Sequence, residues 1–348
     1  MRIIATPAFS NRGLNPYNWL LYGAVGRLGH QVRDGFWIWT DWRADVWHVH
    51  WPEEFLCNRS IFSTLAGMAF AFLNAGICRV LGVRIVWTVH NLQPHERHWP
   101  LLERVFYAVF PRLVDRFVFL SETTRHAGMR RMARIRAGAT AVIPHGHYRD
   151  ILGRWPDRNQ ARARLGLDNE VSLMLFFGQI RQYKNVPSLM RTFSAMAGSN
   201  LRLAVVGSAG GHDALRDEVL RMAEGDDRII ADLRHVPDEE LAAWVSAANL
   251  VVLPYRDIAN SGSAMLALSI GRPVLVPDKG AMGELQARLG GKWVRVYQGE
   301  LTPQELASAI AWSMAAGCDG PDLDGFEWDK IAQATVAVYE GARRKAAD

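Results

Sequence analysis

LVVLPYRDIANSGSAMLALSIGRPVLVP, residues 250–277, contains in one stretch the pattern that decides the fold. LVVLPY (250–255) is an apolar run of strand length, IANSG has turn composition, SAMLALSIG has helical composition, and RPVLVP (272–277) is apolar again. A strand, a helix and a second buried strand in that order make a parallel crossover, because antiparallel neighbours need only a tight turn. The same alternation runs upstream through SLMLFFG (172–178), LRLAVVG (201–207) and IIADLRHV (229–236). An earlier series consists of RIIATP (2–7), DVWHVHW (45–51), RIVWTVH (84–90), DRFVFLS (115–121) and TAVIPHG (140–146). Two α/β units, each a doubly wound parallel sheet covered by helices, are therefore expected in tandem. The polar segment HYRDILGRWPDRNQARARLG, with Pro156, sets the link near residues 150–160. The expected domains are 1–150 and 151–325, with the helical stretch from 326 to 348 returning to the first.

Length agrees with two cores, since 348 residues exceed the roughly 250–300 that one core sustains. With 49% hydrophobic and 22% charged residues the chain has ordinary globular composition. Three widely spaced cysteines, Cys57, Cys78 and Cys318, form neither a disulfide framework nor a zinc pattern and suit a reducing cytoplasm. The N-terminus MRIIATPAFSNRG has the character of a strand and a polar loop, not an export signal. No internal repeat is visible.

Open parallel sheets bind ligands beyond the carboxyl ends of their strands, so the loops there carry the candidates. In FFGQIRQYKNVPSLM a strand passes through Gly178 into a helix, with Arg181 and Lys184 three apart. Two cations at a strand's carboxyl end suit a diphosphate, and cations on a first helical turn oppose the helix dipole. In the opening stretch, Ser261, Gly262 and Ser263 are small enough for backbone N–H groups to approach an anion, and Asn260 adds an amide; a plain N-cap explains the serines equally. VVGSAGG (205–211) lacks the spacing of a dinucleotide fingerprint.

HVHWPEE and TVHNLQPHE end two strands of the first series and bring His48, His50, Glu53, Glu54, His90, His95 and Glu96 together. Their spacings match no zinc motif, and the alternate strand histidines are expected on opposite faces, so no metal site is expected. A carboxylate or imidazole acting as general base is the better reading, with Glu53, Glu96 and His90 as candidates. Asn15 and Tyr17, after the first strand, and His145 and His147, at the last strand of the first half, either shape a pocket or serve as cap and hinge residues.

The first 150 residues hold 18 arginines, no lysine and 10 acids, together with eight of the 13 tryptophans. That half is the expected acceptor or membrane side. RHAGMRRMARIRAG (125–138) is either an anion-attracting cluster or a solvated helix face. IFSTLAGMAFAFLNAGIC (61–78) is uncharged, and its expected forms are a buried helix or one lying at a membrane surface. No nucleic-acid recognition module appears despite a pI near 9.3.

NPYNWLLY (15–22), HVHWPE (48–53), TVHNLQPHE (88–96), PHGHYRD (144–150), FGQIRQYKN (177–185) and residues 250–277 together resemble the GT-B glycosyltransferases. More narrowly they resemble the xanthan-type (GumI-like) glycolipid β-mannosyltransferases. The resemblance implies two Rossmann-like domains facing across a cleft. It also implies an inverting transfer of mannose from GDP-mannose to a lipid-diphosphate-linked oligosaccharide in exopolysaccharide biosynthesis. The implied enzyme is peripheral on the cytoplasmic membrane surface, uses the nucleotide sugar as co-substrate, and needs no metal or other cofactor. Retaining relatives carry two glutamates eight apart where this chain has Ile258 and Leu266, which argues against retention. A retaining transferase, a sugar-nucleotide epimerase and a non-catalytic nucleotide-sugar binder are the alternatives.

Overall fold

The computed structural model describes all residues except 14, 36, 57–59, 93–97, 133–134, 154, 318–319 and 342–348. The chain forms two compact units, one of residues 1–146 with 324–348, the other of residues 147–323.

The first unit carries strands β1 (Arg2–Thr6), β2 (Gln31–Asp34), β3 (Val46–Val49), β4 (Arg84–Val89), β5 (Arg116–Phe119) and β6 (Thr140–Val142). They pair in parallel in the order β2-β1-β3-β4-β5-β6. Helices α1 (Tyr17–Arg27), α2 (Ile61–Leu81), α3 (Pro100–Val109) and α4 (Glu122–Arg131) cover the sheet, and the C-terminal helix Trp328–Gly341 packs on α1. Strands β3 and β4 are almost wholly buried, which is why they appear in sequence as continuous apolar runs. Ser60 caps α2, accepting from the Ser63 N–H, and Gly82 ends it at φ 72°, a left-handed conformation that glycine adopts without strain. α2 is not the fully buried helix that its composition allows: Thr64, Met68, Ala71, Asn74, Ala75 and Cys78 face inward, whereas Phe62 is 82% exposed and Val80 86%.

The second unit carries β7 (Ser172–Phe177), β8 (Leu201–Val206), β9 (Ile229–Asp232), β10 (Leu250–Val252), β11 (Val274–Pro277) and β12 (Val294–Tyr297), all parallel, in the order β12-β11-β10-β7-β8-β9. Its helices are α5 (Arg149–Leu152), α6 (Arg158–Leu165), α7 (Val186–Ser194), α8 (Asp213–Glu224), α9 (Asp238–Ala247), α10 (Gly262–Ser269), α11 (Met282–Leu289) and α12 (Pro303–Ser313). Residues 250–277 thus form β10, a turn, α10 and β11, as their composition predicts.

Two strands escape the sequence reading, β2 (QVRD) and β12 (VRVY). Both are edge strands, short and partly exposed, so neither needs the apolar run that marks a central strand. In each sheet the strand order reverses once, between β1 and β3 in the first and between β7 and β10 in the second. Loops flanking such a reversal diverge and leave a crevice, so these two points are where ligands are expected.

Candidate functional site

In the second unit the reversal point is bordered by the turn after β7 and the turn before α10. Gly178 sits at φ 107°, and a Cβ there would stand 3.2 Å from Lys184 Nζ and 3.3 Å from Ser263 Oγ. Two groups far apart in sequence, the ammonium and the hydroxyl, therefore converge on one point beside a residue without a side chain. Gly207, at the end of β8, approaches so closely that a Cβ would lie 2.4 Å from the Gly178 carbonyl oxygen. Lys184 is buried over the Tyr255 ring at 5.5 Å. Burial, with the Arg181 guanidinium adding repulsion, pulls its pKa down to about 8. Arg181 is hydrogen-bonded to His212, which immediately precedes α8. A second positive group beside a partly desolvated ammonium is unfavourable unless an anion joins them, so the arrangement favours binding a diphosphate.

The two cations do not lie on a first helical turn. Residues Gln182–Lys184 form a separate 3-10 turn, Asn185 takes a left-handed φ of 57°, and α7 begins only at Val186. Ser261 is an N-cap, its Oγ accepting from the Ala264 N–H at 3.1 Å. Ser263 and Ser261 both hydrogen-bond Tyr255. Asn260 and Gly262 are half-buried in the same turn. Tyr255 and His212 had no sequence signal, because each matters through a contact between separate loops, and Gly207 lies in the VVGSAGG stretch that lacks the dinucleotide spacing.

In the first unit the reversal point is bordered by the loops after β1 and β3. Asp34 accepts from the backbone N–H groups of Ala8 at 3.0 Å, Phe9 at 2.6 Å and Ser10 at 2.5 Å, which fixes the loop leading to α1. Asn15 Oδ1 accepts from the Tyr17 N–H at 3.1 Å, a capping contact. Glu53 lies in the 3-10 turn Pro52–Phe55, is 5% exposed, and accepts from Asn91 Nδ2 at 3.0 Å. Burial raises its carboxyl from 4.5 to about 7. A carboxylate with that pKa exchanges a proton at neutral pH, the property a general base requires.

Beside Glu53, the Trp51 ring stacks on His90 at 4.3 Å. His90 Nε2 is 2.9 Å from His50 Nδ1, and His50 is hydrogen-bonded to the Tyr22 hydroxyl. Tyr22 reaches His48 Nδ1 at 2.9 Å, where the Tyr339 hydroxyl also arrives at 2.7 Å, and His48 Nε2 meets Thr88 Oγ1 at 2.8 Å. Burial holds these three imidazoles neutral, with His48 lowered to about 3 and His50 and His90 well below the ordinary value. His48 and His50 are not on opposite faces: residues two apart along a strand share a face, and their rings are 4.4 Å apart. Among the described residues no group of three or more His, Cys, Asp or Glu side chains is arranged to hold a metal ion.

Tyr17 is buried with ring contacts to His90 and His145, both at 4.9 Å, and to Trp328 at 5.2 Å. Burial lowers His145 to about 4. His147 begins the second unit and is buried. Glu96 and His95 lie outside the described residues, as does Arg134 of the basic run. Within that run, Arg125 pairs with Glu122 at 2.7 Å on α4.

Residues 172–315 match the family model described as glycosyl transferases group 1. The chain is 34% identical over 343 residues, 97% of its length and 91% of the relative's, to a GDP-mannose:glycolipid 4-beta-D-mannosyltransferase of Xanthomonas campestris pv. campestris. Among solved structures it superposes on Anabaena HepE in complex with UDP-glucose with a TM-score of 0.69, at 16% identity and covering 98% of both chains. Sucrose-phosphate synthase of Thermosynechococcus elongatus gives 0.67, at 16% identity, over 98% of this chain and 94% of that one. These likenesses establish a GT-B fold of two Rossmann-like domains.

Proposed function

The chain belongs to the glycosyltransferase family of the Xanthomonas GDP-mannose:glycolipid 4-beta-D-mannosyltransferases, and from that membership we propose that it transfers mannose from GDP-mannose to a glycolipid acceptor with inversion. The observation that carries this reading is Glu53, a buried carboxyl with its pKa raised to about 7, held by Asn91 at the reversal point of the first sheet. An inverting transfer needs a base for the acceptor hydroxyl. Retention in this fold is associated with acids at the positions of Ile258 and Leu266, which are apolar.

In the proposed reaction the acceptor oxygen attacks the anomeric carbon from the face opposite the nucleotide. Its proton passes to a Glu53 oxygen as the new glycosidic bond forms. The bond to the diphosphate oxygen breaks, and GDP departs with the added charge offset by Lys184 and Arg181 and hydrogen-bonded by Ser263 and the backbone of Gly262. His90, a neutral imidazole stacked on Trp51, is suited to orienting a sugar hydroxyl rather than to taking the proton. Because two protein cations serve the leaving group, transfer is expected to persist in EDTA. The proposal extends to a lipid-linked exopolysaccharide precursor as acceptor, built at the cytoplasmic membrane surface; the word glycolipid in the relative's name supports it.

Incubation with GDP-mannose and a lipid-diphosphate-linked oligosaccharide, followed by NMR of the product's anomeric centre, tests the reading. A β-mannoside is expected. An α-mannoside would refute inversion, preferred turnover of UDP-sugars would refute the donor, and nucleotide-sugar binding without transfer would leave a binding protein.

A further inference from the structure

We infer that the buried chain of hydroxyls and imidazoles running from Thr88 and Tyr339 through His48, Tyr22 and His50 has a single direction, and that this direction fixes the hydrogen of His90 on Nδ1. Thr88, His48, Tyr22, His50 and Tyr339 are then positioning residues for the transfer, acting through His90. The direction follows from the first unit alone, whereas its effect on rate rests on the proposed function.

All these residues belong to the first unit. Tyr22, His48, His50, Thr88 and Tyr339 are buried, so a hydrogen on any of them is donated within the chain or left without an acceptor. Burial keeps His48, His50 and His90 neutral, so each ring has one N–H and one bare nitrogen. Each hydroxyl likewise brings one hydrogen and can accept at its oxygen.

Thr88 is where the direction is set. Among the described residues its hydroxyl meets one hydrogen-bonding group, His48 Nε2 at 2.8 Å. A buried donor without an acceptor is unfavourable, so Thr88 donates and Nε2 accepts. The His48 hydrogen is therefore on Nδ1, which faces the Tyr22 oxygen at 2.9 Å and the Tyr339 oxygen at 2.7 Å. Neither phenol can then donate to His48. Tyr339 has the Tyr22 oxygen as its remaining acceptor, and Tyr22 passes its own hydrogen to His50 Nε2. His50 consequently carries its hydrogen on Nδ1 and donates to His90 Nε2 at 2.9 Å. With Nε2 accepting, the hydrogen of His90 is on Nδ1. The opposite direction fails at its end, because His48 Nε2–H would donate to Thr88 and leave the threonine's hydrogen buried without an acceptor.

Both ring nitrogens of His90 are thereby assigned. Nε2 is engaged by His50, and Nδ1 offers a donor to an oxygen, so His90 cannot take the proton of the acceptor hydroxyl. That role is left to a carboxylate. The ring itself is held in plane by Trp51, stacked at 4.3 Å, and by Tyr17, edge-on at 4.9 Å. The C-terminal helix becomes part of this arrangement through Tyr339, whose carbonyl accepts from Arg84 Nη1 at 2.5 Å. A donor oriented before the substrate arrives needs no reorganisation during the reaction.

Long-range proton–nitrogen NMR of the full chain labelled with ¹⁵N-histidine, at neutral pH and without substrate, reads each tautomer. His48, His50 and His90 should all be Nδ1–H, the reverse of the preference of free histidine in water. Thr88→Val removes the hydrogen that sets the direction, so His90 should become a mixture of tautomers, and Thr88→Ser should restore the Nδ1–H signal. Tyr22→Phe cuts the chain before His50 and should do the same as Thr88→Val, with kcat for mannosyl transfer lowered about tenfold or more. GDP affinity, a property of the second unit, should stay at the wild-type value in Tyr22→Phe, which separates a misplaced hydrogen from a misfolded chain. An Nε2–H signal for His90 in the wild type, or an unmoved signal in both Thr88→Val and Tyr22→Phe, overturns the direction. A changed tautomer with wild-type kcat overturns the positioning role. No transfer by the wild type would refute the proposed function, and the rate effect with it, while the spectra still decide the direction.

Discussion

Glu53 is a buried acid whose environment favours the proton, and that fact has two consequences of opposite sign. Its folded pKa of about 7 lies above the ordinary 4.5, so between those values the folded chain binds a proton that the unfolded chain has released. Stability from this group is full below pH 4.5 and is lost as pH rises through 7, on the order of 3 kcal/mol at most. Glu53→Gln keeps an acceptor for Asn91 Nδ2 and removes the ionisation. The variant should therefore melt higher than wild type above pH 7 while turnover falls about 10²–10⁴-fold, as expected on removing a positioned base. Melting curves and initial rates across pH check the pair, and a variant with wild-type rates would remove Glu53 from the mechanism. Lys184 gives the complementary limb. Its ammonium, lowered to about 8 by burial and by Arg181, grips a diphosphate only when protonated, so GDP affinity should be flat below that pH and decline above it. Calorimetric titration with GDP at several pH values measures this, and the decline should vanish in Lys184→Met.

Elements place these residues, and some placements depend on contacts between elements far apart in sequence. The C-terminal helix is the clearest case. Trp328 at its start is 1% exposed, and a Cβ on Gly146 would lie 2.4 Å from the indole Cε2, inside any allowed contact. Gly146→Ala should destabilise the first unit by about 1–3 kcal/mol through overpacking, and combining it with Trp328→Phe should cost less than the sum of the two changes. Urea denaturation followed by fluorescence reads both. The same helix brings Tyr339 to His48 across 291 residues of sequence, a contact that no local pattern can announce. What was legible had a local cause. Buried central strands appear as apolar runs, and the crossover at 250–277 has its turn and helix composition in the right order. Glycine and cations follow β7 within a few residues, so Gly178, Arg181 and Lys184 were visible, as was Glu53 on the loop after β3. The edge strands β2 and β12 lacked a burial signature, whereas the His48–His50 pairing follows from strand alternation, which puts residues two apart on one face. Tyr255, His212 and Asn91 became recognisable only through the groups they touch.

The whole molecule joins two sheets of the same topology class with different electrostatic character, and acid should therefore distinguish them. The first unit buries His48 and His50 and half-buries His90 and His145, and holds all four as neutral imidazoles. A depressed folded pKa gives stability that is complete above the unfolded value of 6.5 and is lost as pH falls towards the folded value. For His48 at about 3 and His145 at about 4, the loss by pH 4.5 is on the order of 2–3 kcal/mol each. Glu53 acts against this over the same interval, but it is one carboxyl set against four imidazoles, so the balance for the first unit is destabilising. In the second unit the proposed ligand works independently, since a nucleotide that binds only the folded form raises its stability in proportion to the logarithm of its concentration over Kd. Hydrogen exchange at pH 7 and pH 4.5, corrected for intrinsic rates and run with and without GDP, reads both effects in one experiment. Protection should fall first in α1, β3, β4 and the C-terminal helix on acidification, whether or not GDP is present. GDP should raise protection around residues 178–184 and 254–269 and leave the first unit's acid response unchanged. Equal loss in the two units would mean that the buried imidazoles are not the groups that acid attacks.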